Sequence, residues 1–187
     1  ASFRSWLGRA PETPPDADRL LVRKFLHCHG PSTPALLAEW LGCSPAQARR
    51  LWNSVAQELE PVSVEGKARW LLSADRDALA HPCGPQERLL LLGPHDPYLD
   101  TRDRDVLLPD KALQKLVWRT VGNPGAVVLD GRISGVWTAR TVRDRLELSV
   151  TAWQAFSARQ QSMLEIRAQE YAAFRGLSLL KYTLEDG

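Results

Sequence analysis

The sequence has few of the features on which disulfide-bonded, redox-active and membrane proteins depend. Among its 187 residues are three cysteines, Cys28, Cys43 and Cys83, and they form no Cys-x-x-Cys motif. An odd number in this arrangement argues against a disulfide framework and against thiol redox chemistry, and fits a reducing compartment. No stretch approaches the roughly 18 uninterrupted apolar residues of a membrane-spanning helix, and no basic-then-apolar signal sequence opens the chain. We therefore expect a cytoplasmic protein that does not contact a membrane.

Neither sign of charge is in excess. The 24 lysines and arginines are balanced by 22 aspartates and glutamates, so the formal net charge is +2. The whole molecule therefore lacks the strongly basic character of an unselective nucleic-acid binder, and any basic surface must be local. Hydrophobic residues make up 44% of the chain and charged residues 25%, which indicates a folded globular protein and not a disordered one. The length allows two small domains.

The first part of residues 16–73 contains three segments whose residue patterns predict helices. Each predicted helix begins at a residue with a short polar side chain, in order Asp16, Thr33 and Ser44. A glycine closes each of the first two helices, and the third is expected to continue to residue 60. Apolar residues at helical spacing form the predicted inner faces: Leu20, Leu21, Phe25 and Cys28; then Leu36, Leu37, Trp40 and Leu41; then Ala48, Leu51, Trp52, Val55 and Leu59.

A hairpin pattern follows the helices. Alternating runs on either side of Glu65-Gly66-Lys67 predict two antiparallel strands. Three short helices with a tight glycine-containing turn between the second and third, followed by a hairpin, are typical of a winged helix-turn-helix domain, which we assign to residues 16–73. The proline-rich residues 1–15 are expected to be a remnant of, or linker from, a preceding domain, and residues 74–87 a linker to the next.

Residues 88–187 predict a second domain made mostly of strands. The strand patterns are RLLLL, GAVVLDGRISGVW, RTVRDRLELSV and LSLLKYTL. Asp130-Gly131 is a strong two-residue hairpin signal, and Gly135 permits a bulge in the strand after it. A short helix is expected within residues 109–119 and a long one over residues 157–175, where Ser157 and Gln160 have capping-box spacing. The expected fold class is α+β: a winged helix-turn-helix domain followed by a small antiparallel β-barrel domain packed by one long helix.

The loop GPHDPYLDTRDRD, residues 93–105, has the residue types of a metal site. A metal ion would need His95 and two or three of the aspartates to converge at about 2 Å, but neighbouring residues in an extended chain project to opposite faces. Pro94 and Pro97 bracket His95-Asp96, and Asp96 can accept a backbone N–H from two residues further on. We predict a structural turn. A loop that faces DNA or a preceding domain, and a metal or catalytic site, are the alternatives.

Two clusters of histidine and cysteine also raise the question of zinc. They are His27-Cys28-His29 and His81-Pro82-Cys83. Successive side chains on a helix point about 100° apart, so the first cluster cannot hold one ion. We expect a buried Cys28 between helix-end histidines, and neither a metal nor a cofactor.

Four motifs follow one another along the chain: HGPSTPALLAEWLG; the wing segment ARWLL; LLLLGPHDPYL followed by RDRD; and VVLDGRISGVW. Their order and spacing, over roughly Asp16 to Tyr182, resemble the AlkZ-like (YcaQ-type) DNA glycosylase family of winged-helix proteins. The resemblance implies tandem winged helices followed by a C-terminal β-barrel, of which this chain corresponds to the last winged helix and the barrel. It further implies that the protein's own N-terminal winged-helix domains are a partner of this part, and we expect a monomer.

The resemblance also implies an activity for the intact protein. That activity is monofunctional: excision of an alkylated or crosslinked base by hydrolysis of the N-glycosidic bond, without a metal. An alkylated base is already a good leaving group, so the enzyme has chiefly to place a water and stabilise an oxocarbenium-like sugar. The family's catalytic Gln-x-Gln or Gln-x-Asp motif is absent from this sequence. We therefore assign no catalytic residue and expect this part to position double-stranded DNA.

Basic and amide side chains are the candidates for contacts with DNA. They are Gln47, Arg49, Arg50 and Asn53 on the third helix, Lys67 and Arg69 on the wing, and Arg132, Arg140, Arg143 and Arg145 on the barrel hairpins. Such donors suit groove edges and phosphates. The alternatives are a solvated helix face used for assembly, and charges that protect an edge strand.

Two other functions remain open at this point. A winged-helix transcriptional regulator, with a ligand-binding or dimerising barrel, would read a palindromic site as a dimer with its third helices about one DNA turn apart. Only residues 157–175 offer a candidate dimerisation helix. The third possibility is a scaffold that packs against other domains.

Overall fold

The computed structural model describes residues 2–10, 12–82, 84, 88–100 and 103–186. These residues belong to two compact units, residues 1–82 and residues 83–187, called here the first and second unit. The first is mostly helical with one small sheet, and the second is built on a larger sheet, so the fold is mixed α+β. Over the described ranges, no helix combines the length and apolar character that crossing a bilayer requires.

The first unit contains five helices and two strands in its described residues. They are α1 (Phe3–Leu7), α2 (Ala17–His29), α3 (Pro34–Leu41), α4 (Pro45–Asn53), β1 (Leu59–Val64), β2 (Lys67–Leu72) and α5 (Arg76–Ala80). Two of the predicted caps are confirmed: Thr33 Oγ1 accepts the backbone N–H of Leu36 at 3.3 Å, and Ser44 Oγ that of Gln47 at 3.2 Å. Asp16 is the N-cap residue of α2 as predicted, but its side chain makes no capping hydrogen bond. Its φ of −107° and ψ of 26° are not the extended values that aim a side chain at the first turn.

The core of the first unit lies between α2, α3, α4 and β2. On α2 the buried stripe is Val22, Phe25 and Leu26, so the predicted stripe is displaced: Leu20 is 42% exposed and Cys28 lies at the surface. The positions i, i+3 and i+4 place these three side chains on one face, and Leu20 falls outside it.

Two further predictions for these helices are wrong. Trp40 does not face inward; it is 48% exposed and packs its ring against Phe25 at a centroid distance of 5.3 Å. The third helix ends at Asn53 instead of continuing to residue 60. Ser54 Oγ donates to the carbonyl of Leu51 at 2.6 Å, and a short 3₁₀ turn follows before β1 begins.

The predicted hairpin after the helices is confirmed. Strands β1 and β2 pair antiparallel over residues 59–64 and 67–72. Glu65 and Gly66 have φ of 50° and 75°, the left-handed values that a type I′ turn requires at both central positions. Ser32, which is 1% exposed, pairs with the β2 side of this hairpin as a third short extended segment. Its backbone exchanges hydrogen bonds of 2.8 and 2.9 Å with Trp70.

The second unit is a five-stranded sheet with three helices in its described residues. Its elements are β3 (Leu89–Leu92), α6 (Arg104–Leu107), α7 (Lys111–Val117), β4 (Gly125–Leu129), β5 (Arg132–Val142), β6 (Arg145–Ala152), α8 (Ala158–Phe174) and β7 (Ser178–Asp186). The strands lie side by side in chain order. Two features of this unit were predicted correctly: the left-handed turn at Asp130-Gly131, and the capping box of Ser157 and Gln160 on α8.

The antiparallel β-barrel that the sequence predicted is not what the described residues form. The sheet is open, with β3 and β7 at opposite edges, and β7 runs parallel to β6. The physical reason is α8. A helix between two neighbouring strands returns the chain to the same end of the sheet, so the second strand runs in the direction of the first. The same helix packs against both edge strands, and Arg167 Nε donates to the carbonyl of Leu89 at 3.2 Å.

Each face of the sheet carries its own core. On one face, α8 packs Leu164 and Ala168 against β3 to β6. On the other, residues of α7 and the preceding loop pack against β4 and the first half of β5. Helix α7 lies within the predicted range, and Trp118 follows its last residue, with Nε1 donating to the carbonyl of Leu99 at 3.0 Å. The remainder of this second face, on β5, β6 and β7, is polar and exposed or partly exposed.

Candidate nucleic-acid interface

Helix α4 presents one packed side and one open side. Ala48, Leu51 and Trp52 are buried against the rest of the first unit. The four candidate residues of this helix, Gln47, Arg49, Arg50 and Asn53, are all exposed. The structure therefore brings these predicted donors together on a short surface helix that follows a glycine-containing turn. Amide and guanidinium groups in this setting are suited to base edges and phosphates.

The two arginines of α4 have different surroundings. Arg50 Nη1 lies 2.7 Å from the Asp18 carboxylate on α2, in an ion pair whose side chains are 64% and 50% exposed. Such a surface pair contributes at most about 1 kcal/mol, so a phosphate can compete for this arginine. Arg49 lines a cleft of about 300 Å³ together with Thr33, Pro34, Ala35 and Pro45, at the starts of α3 and α4.

The two candidates on the wing are placed differently. Lys67 is exposed and follows directly after the Glu65-Gly66 turn. Arg69 is 6% exposed, and its Nη1 lies 3.5 Å from the carbonyl oxygen of Pro31. Because the bridge between Ser32 and Trp70 brings this segment against β2, the Arg69 side chain lies inside the wing and not on its outer surface. No pattern in the sequence predicted this extra strand segment.

The candidates on the second unit fall into two places. Arg132 follows the Asp130-Gly131 turn at the start of β5, whereas Arg140, Arg143 and Arg145 lie at or near its other end. Arg132 and Arg140 are eight positions apart along the strand, about 26 Å at the usual rise. Only the latter three therefore form a group. Arg143 occupies the turn between β5 and β6 with a φ of 58°.

One acidic side chain, Glu147, lies beside the arginines of this group. Arg140 makes an ion pair with Glu147 on β6, with Nε to Oε2 at 2.6 Å, although the Arg140 side chain is 76% exposed. Glu147 also has Lys181 of β7 as its register partner on the other side. Lys181 was not among the residues predicted to contact DNA, because the sequence did not indicate that the last strand pairs in parallel with β6.

The loop at residues 93–105 is a structural turn over its described part, as predicted. Asp96 Oδ1 accepts the backbone N–H of Tyr98 at 2.9 Å, and the Tyr98 hydroxyl donates to the carbonyl of Gly131 at 2.8 Å. Burial raises the pKa of Tyr98. Arg102 of this loop and Cys83 of the predicted histidine–cysteine cluster lie outside the described residues. Within those residues, no three histidine, cysteine, aspartate or glutamate side chains are grouped as metal ligands.

A groove of about 1070 Å³ lies elsewhere on the first unit. It runs along α2 as far as His27, between this helix and the residues just before and just after the hairpin. Glu58 at its rim accepts hydrogen bonds from Arg23 at 2.7 Å and from Arg19 at 2.8 Å. These hydrogen bonds, that from Arg23 first, lower the pKa of Glu58 to about 2. The carboxylate is therefore charged at neutral pH and fixes α2 to the turn that leads into β1.

Comparison with known proteins connects the two units to one family. The model of the family described as DNA glycosylase AlkZ-like matches residues 1–174, which include most of both units. The chain belongs to the AlkZ-like DNA glycosylase family. A curated AlkZ-like relative, the interstrand DNA cross-link repair glycosylase of Streptomyces sahachiroi, is 31% identical over 187 residues, covering 96% of this chain and 48% of the relative.

A solved structure of the family has a similar fold. The Streptomyces sahachiroi DNA glycosylase AlkZ superposes with a TM-score of 0.70 at 26% sequence identity, over 97% of this chain and 50% of that protein. The chain thus spans about half the length of the AlkZ-like relatives it matches.

Proposed function

We propose that this chain is the DNA-positioning part of a DNA-repair glycosylase that excises alkylated or crosslinked bases. The observation that carries the proposal is the AlkZ-like family match across both units, in a sequence that lacks the family's glutamine motif. The relative from Streptomyces sahachiroi is named for interstrand cross-link repair. Base excision would then belong to the whole protein, with the chemistry outside these residues and the grip on duplex DNA within them.

The first unit would act as a winged helix-turn-helix domain. In this arrangement α4 lies in a groove of the duplex, Gln47 and Asn53 reach base edges, and Arg49 contacts a phosphate beside the cleft at the starts of α3 and α4. Lys67 at the tip of the wing contacts the adjacent backbone. Arg69 takes no direct part because its side chain is buried.

The second unit would follow the backbone beyond the groove. Arg140, Arg143 and Arg145 form the basic group of its β5–β6 hairpin, and each phosphate contact that such residues make weakens as salt displaces them. The protein's own N-terminal winged-helix domains would supply the remaining contacts and the catalytic glutamine motif. We propose a monomer, since a lesion has no palindromic symmetry to match a dimer.

Binding to a fluorescein-labelled 20-bp duplex tests the DNA-holding role. We expect the wild-type chain to bind with a salt-dependent affinity, and Arg49→Ala to reduce the slope of log affinity against log salt by about 0.9, the value of one lost phosphate contact. Lys24→Ala is the matched control, because it removes an exposed cation of α2 outside the proposed surface. The proposal fails if the wild type does not bind the duplex, or if both variants behave alike.

Base release tests the role of the whole protein. A duplex carrying N7-alkylguanine is incubated with the longer family protein that contains this chain, and in parallel with the 187-residue chain alone. Release by the longer protein only is the expected result. Release by the chain alone would contradict the placement of the chemistry outside it, and release by neither would remove these lesions as substrates.

The exposed apolar side chains of α8 favour a second candidate. Ile166 is 51% exposed and Phe174 82% exposed, on the helix that the sequence marked as a possible dimerisation element. A winged-helix transcriptional regulator would use such a surface to pair two copies on a palindromic site. Sedimentation equilibrium distinguishes the two proposals, since a monomer at micromolar concentration contradicts the regulator and a stable dimer supports it.

A further inference from the structure

The uncovered part of the second unit's sheet carries an ordered set of polar side chains. Register partners across β5, β6 and β7 form two neighbouring rows. These rows, called here the polar sheet face, are a hydroxyl row of Thr138, Ser149 and Thr183, and a charged row of Arg140, Glu147 and Lys181. Partners in register project to the same side of a sheet, and residues two apart on a strand do so as well. The six side chains therefore share one surface.

The polar sheet face is open to solvent because the two helical layers cover other areas. Helix α8 lies on the opposite face of the sheet, and α7 covers the near face only over β4 and the start of β5, as far as Val136. Thr138, Arg140, Ser149 and Lys181 are consequently exposed, and the other two members of the rows are partly exposed.

The net charge of this surface is positive, and most of its polar side chains can donate hydrogen bonds. Arg140 and Lys181 lie on either side of the carboxylate of Glu147, and Arg145 is two residues away from Glu147 along β6. Glu185, exposed and two residues beyond Thr183 on β7, projects to the same face, so three cations accompany two anions there. Arg140 holds Glu147 in an ion pair that leaves the glutamate side chain only 20% exposed. In the next row, the hydroxyls of Ser149 and Thr183 lie 3.4 Å apart.

We propose that the polar sheet face binds the phosphate backbone of duplex DNA. This inference rests on the proposed function and assigns Thr138, Ser149, Thr183 and Lys181 to it. Lysine, arginine, serine and threonine side chains are among the groups that donate hydrogen bonds to phosphate and sugar oxygens of DNA. Strands about 4.8 Å apart and rows about 6.6 Å apart set these donors over an area that accommodates neighbouring phosphates of one strand.

The composition of the surface favours nucleic acid over a protein partner. The centre of a protein–protein interface is depleted in charged residues and enriched in aromatic ones, whereas the two rows contain no apolar side chain. Hydroxyls and cations spread over the face of a sheet read no base edge. They therefore add affinity without sequence preference, which suits a protein that must hold DNA of any sequence around a lesion.

The test uses the whole chain and a labelled 20-bp duplex, with two kinds of variant. Lys181→Gln removes a cation, so we expect about threefold weaker binding or more at 0.1 M salt and a salt slope smaller by about 0.9. Thr138→Val with Thr183→Val removes two hydroxyls at nearly constant volume. We expect weaker binding with an unchanged salt slope, because a hydroxyl displaces no counterion. If these side chains only stabilised the fold, the lysine variant and the threonine variant would not differ in the slope of log affinity against log salt.

Arg175→Gln is the matched control, since it removes an exposed cation at the end of α8, and it should bind like the wild type. If the wild type and Arg49→Ala behave as proposed while the Lys181 and threonine variants bind like this control, the inference is overturned and the proposed function stands. If the wild type does not bind, the proposed function fails first. Tighter binding of the single strand, with the same losses, would replace the duplex as the ligand and overturn the inference as stated.

Discussion

Gly125 has no room for a side chain, because the Trp137 indole crosses it. A β-carbon added at Gly125 would lie 2.2 Å from Nε1 and 2.4 Å from Cε2 of Trp137, and 2.5 Å from the carbonyl oxygen of Leu92. The indole is 5% exposed, its Nε1 donates to that same carbonyl at 2.8 Å, and its ring meets Tyr171 edge-on at 4.9 Å. Gly125→Ala must therefore displace the indole or the strand β3.

The size of the effect follows from the contacts that are lost. Leaving the buried indole N–H without its acceptor costs about 1–3 kcal/mol. Loss of the edge-on aromatic contact adds about 0.5–1.5 kcal/mol, and strain from overpacking adds about 1–3 kcal/mol. The reduced entropy of the unfolded chain offsets about 0.4–1 kcal/mol. We expect Gly125→Ala to lower the free energy of unfolding by about 4 kcal/mol.

Urea denaturation followed by tryptophan fluorescence measures this change. Gly93→Ala is the matched control, since a β-carbon there meets no atom within 4 Å and the backbone has no positive φ. It should change the free energy of unfolding by less than about 0.5 kcal/mol. In a Trp137→Leu background, Gly125→Ala should cost less than in the wild type, because part of the clash has been removed. A loss at Gly125 no larger than at Gly93 would refute the reasoning.

Three further predictions concern single polar groups. Glu58→Gln removes a carboxylate whose pKa is lowered from 4.5 to about 2, chiefly by the hydrogen bond from Arg23. The wild type should be more stable than this variant by about 1 kcal/mol above pH 4.5, and the difference should disappear as the pH falls towards 2. Thermal melts of both proteins across that pH range measure it. A difference that persists at pH 2 would contradict the ion pair. Asp96→Ala removes the acceptor of the Tyr98 backbone N–H, so urea denaturation should show a loss of about 1 kcal/mol in the stability of the second unit. Asp96→Asn keeps an acceptor and should retain most of that stability. Equal losses in the two variants would argue against the turn. Ser157→Ala deletes half of the capping box of α8 and should cost about 1 kcal/mol by chemical denaturation, while Ser157→Asp restores the cap.

Local signals in the sequence predicted local structure well. Thr33 and Ser44 begin their helices as expected, and the Asp130-Gly131 turn follows from the left-handed conformation that this pair tolerates. Each of these features depends on hydrogen bonds within a few residues. The helix-turn-helix order and the family resemblance rested on the same short-range patterns.

Long-range packing decided the features that the sequence did not predict. The burial of Arg69 depends on a bridge to Ser32, which is 38 residues away from Trp70 in the chain, and no periodicity reports such a contact. Similarly, a strand pattern does not tell whether its partner will be parallel. The parallel register of β7 brought Lys181 beside Glu147 and created a candidate surface that the separate strand patterns did not reveal.

The parallel pairing of β7 has a consequence for the order in which the second unit folds. The β4–β5 and β5–β6 pairs join strands connected by two-residue turns, whereas β7 pairs with β6 only across the whole of α8. Contacts that close a long crossover carry a larger entropic cost and form late. Until they form, β6 is an unpaired edge that can recruit the strand of another molecule. Early formation of α8 would therefore shorten the time for which the β6 edge is exposed, in addition to stabilising the finished sheet.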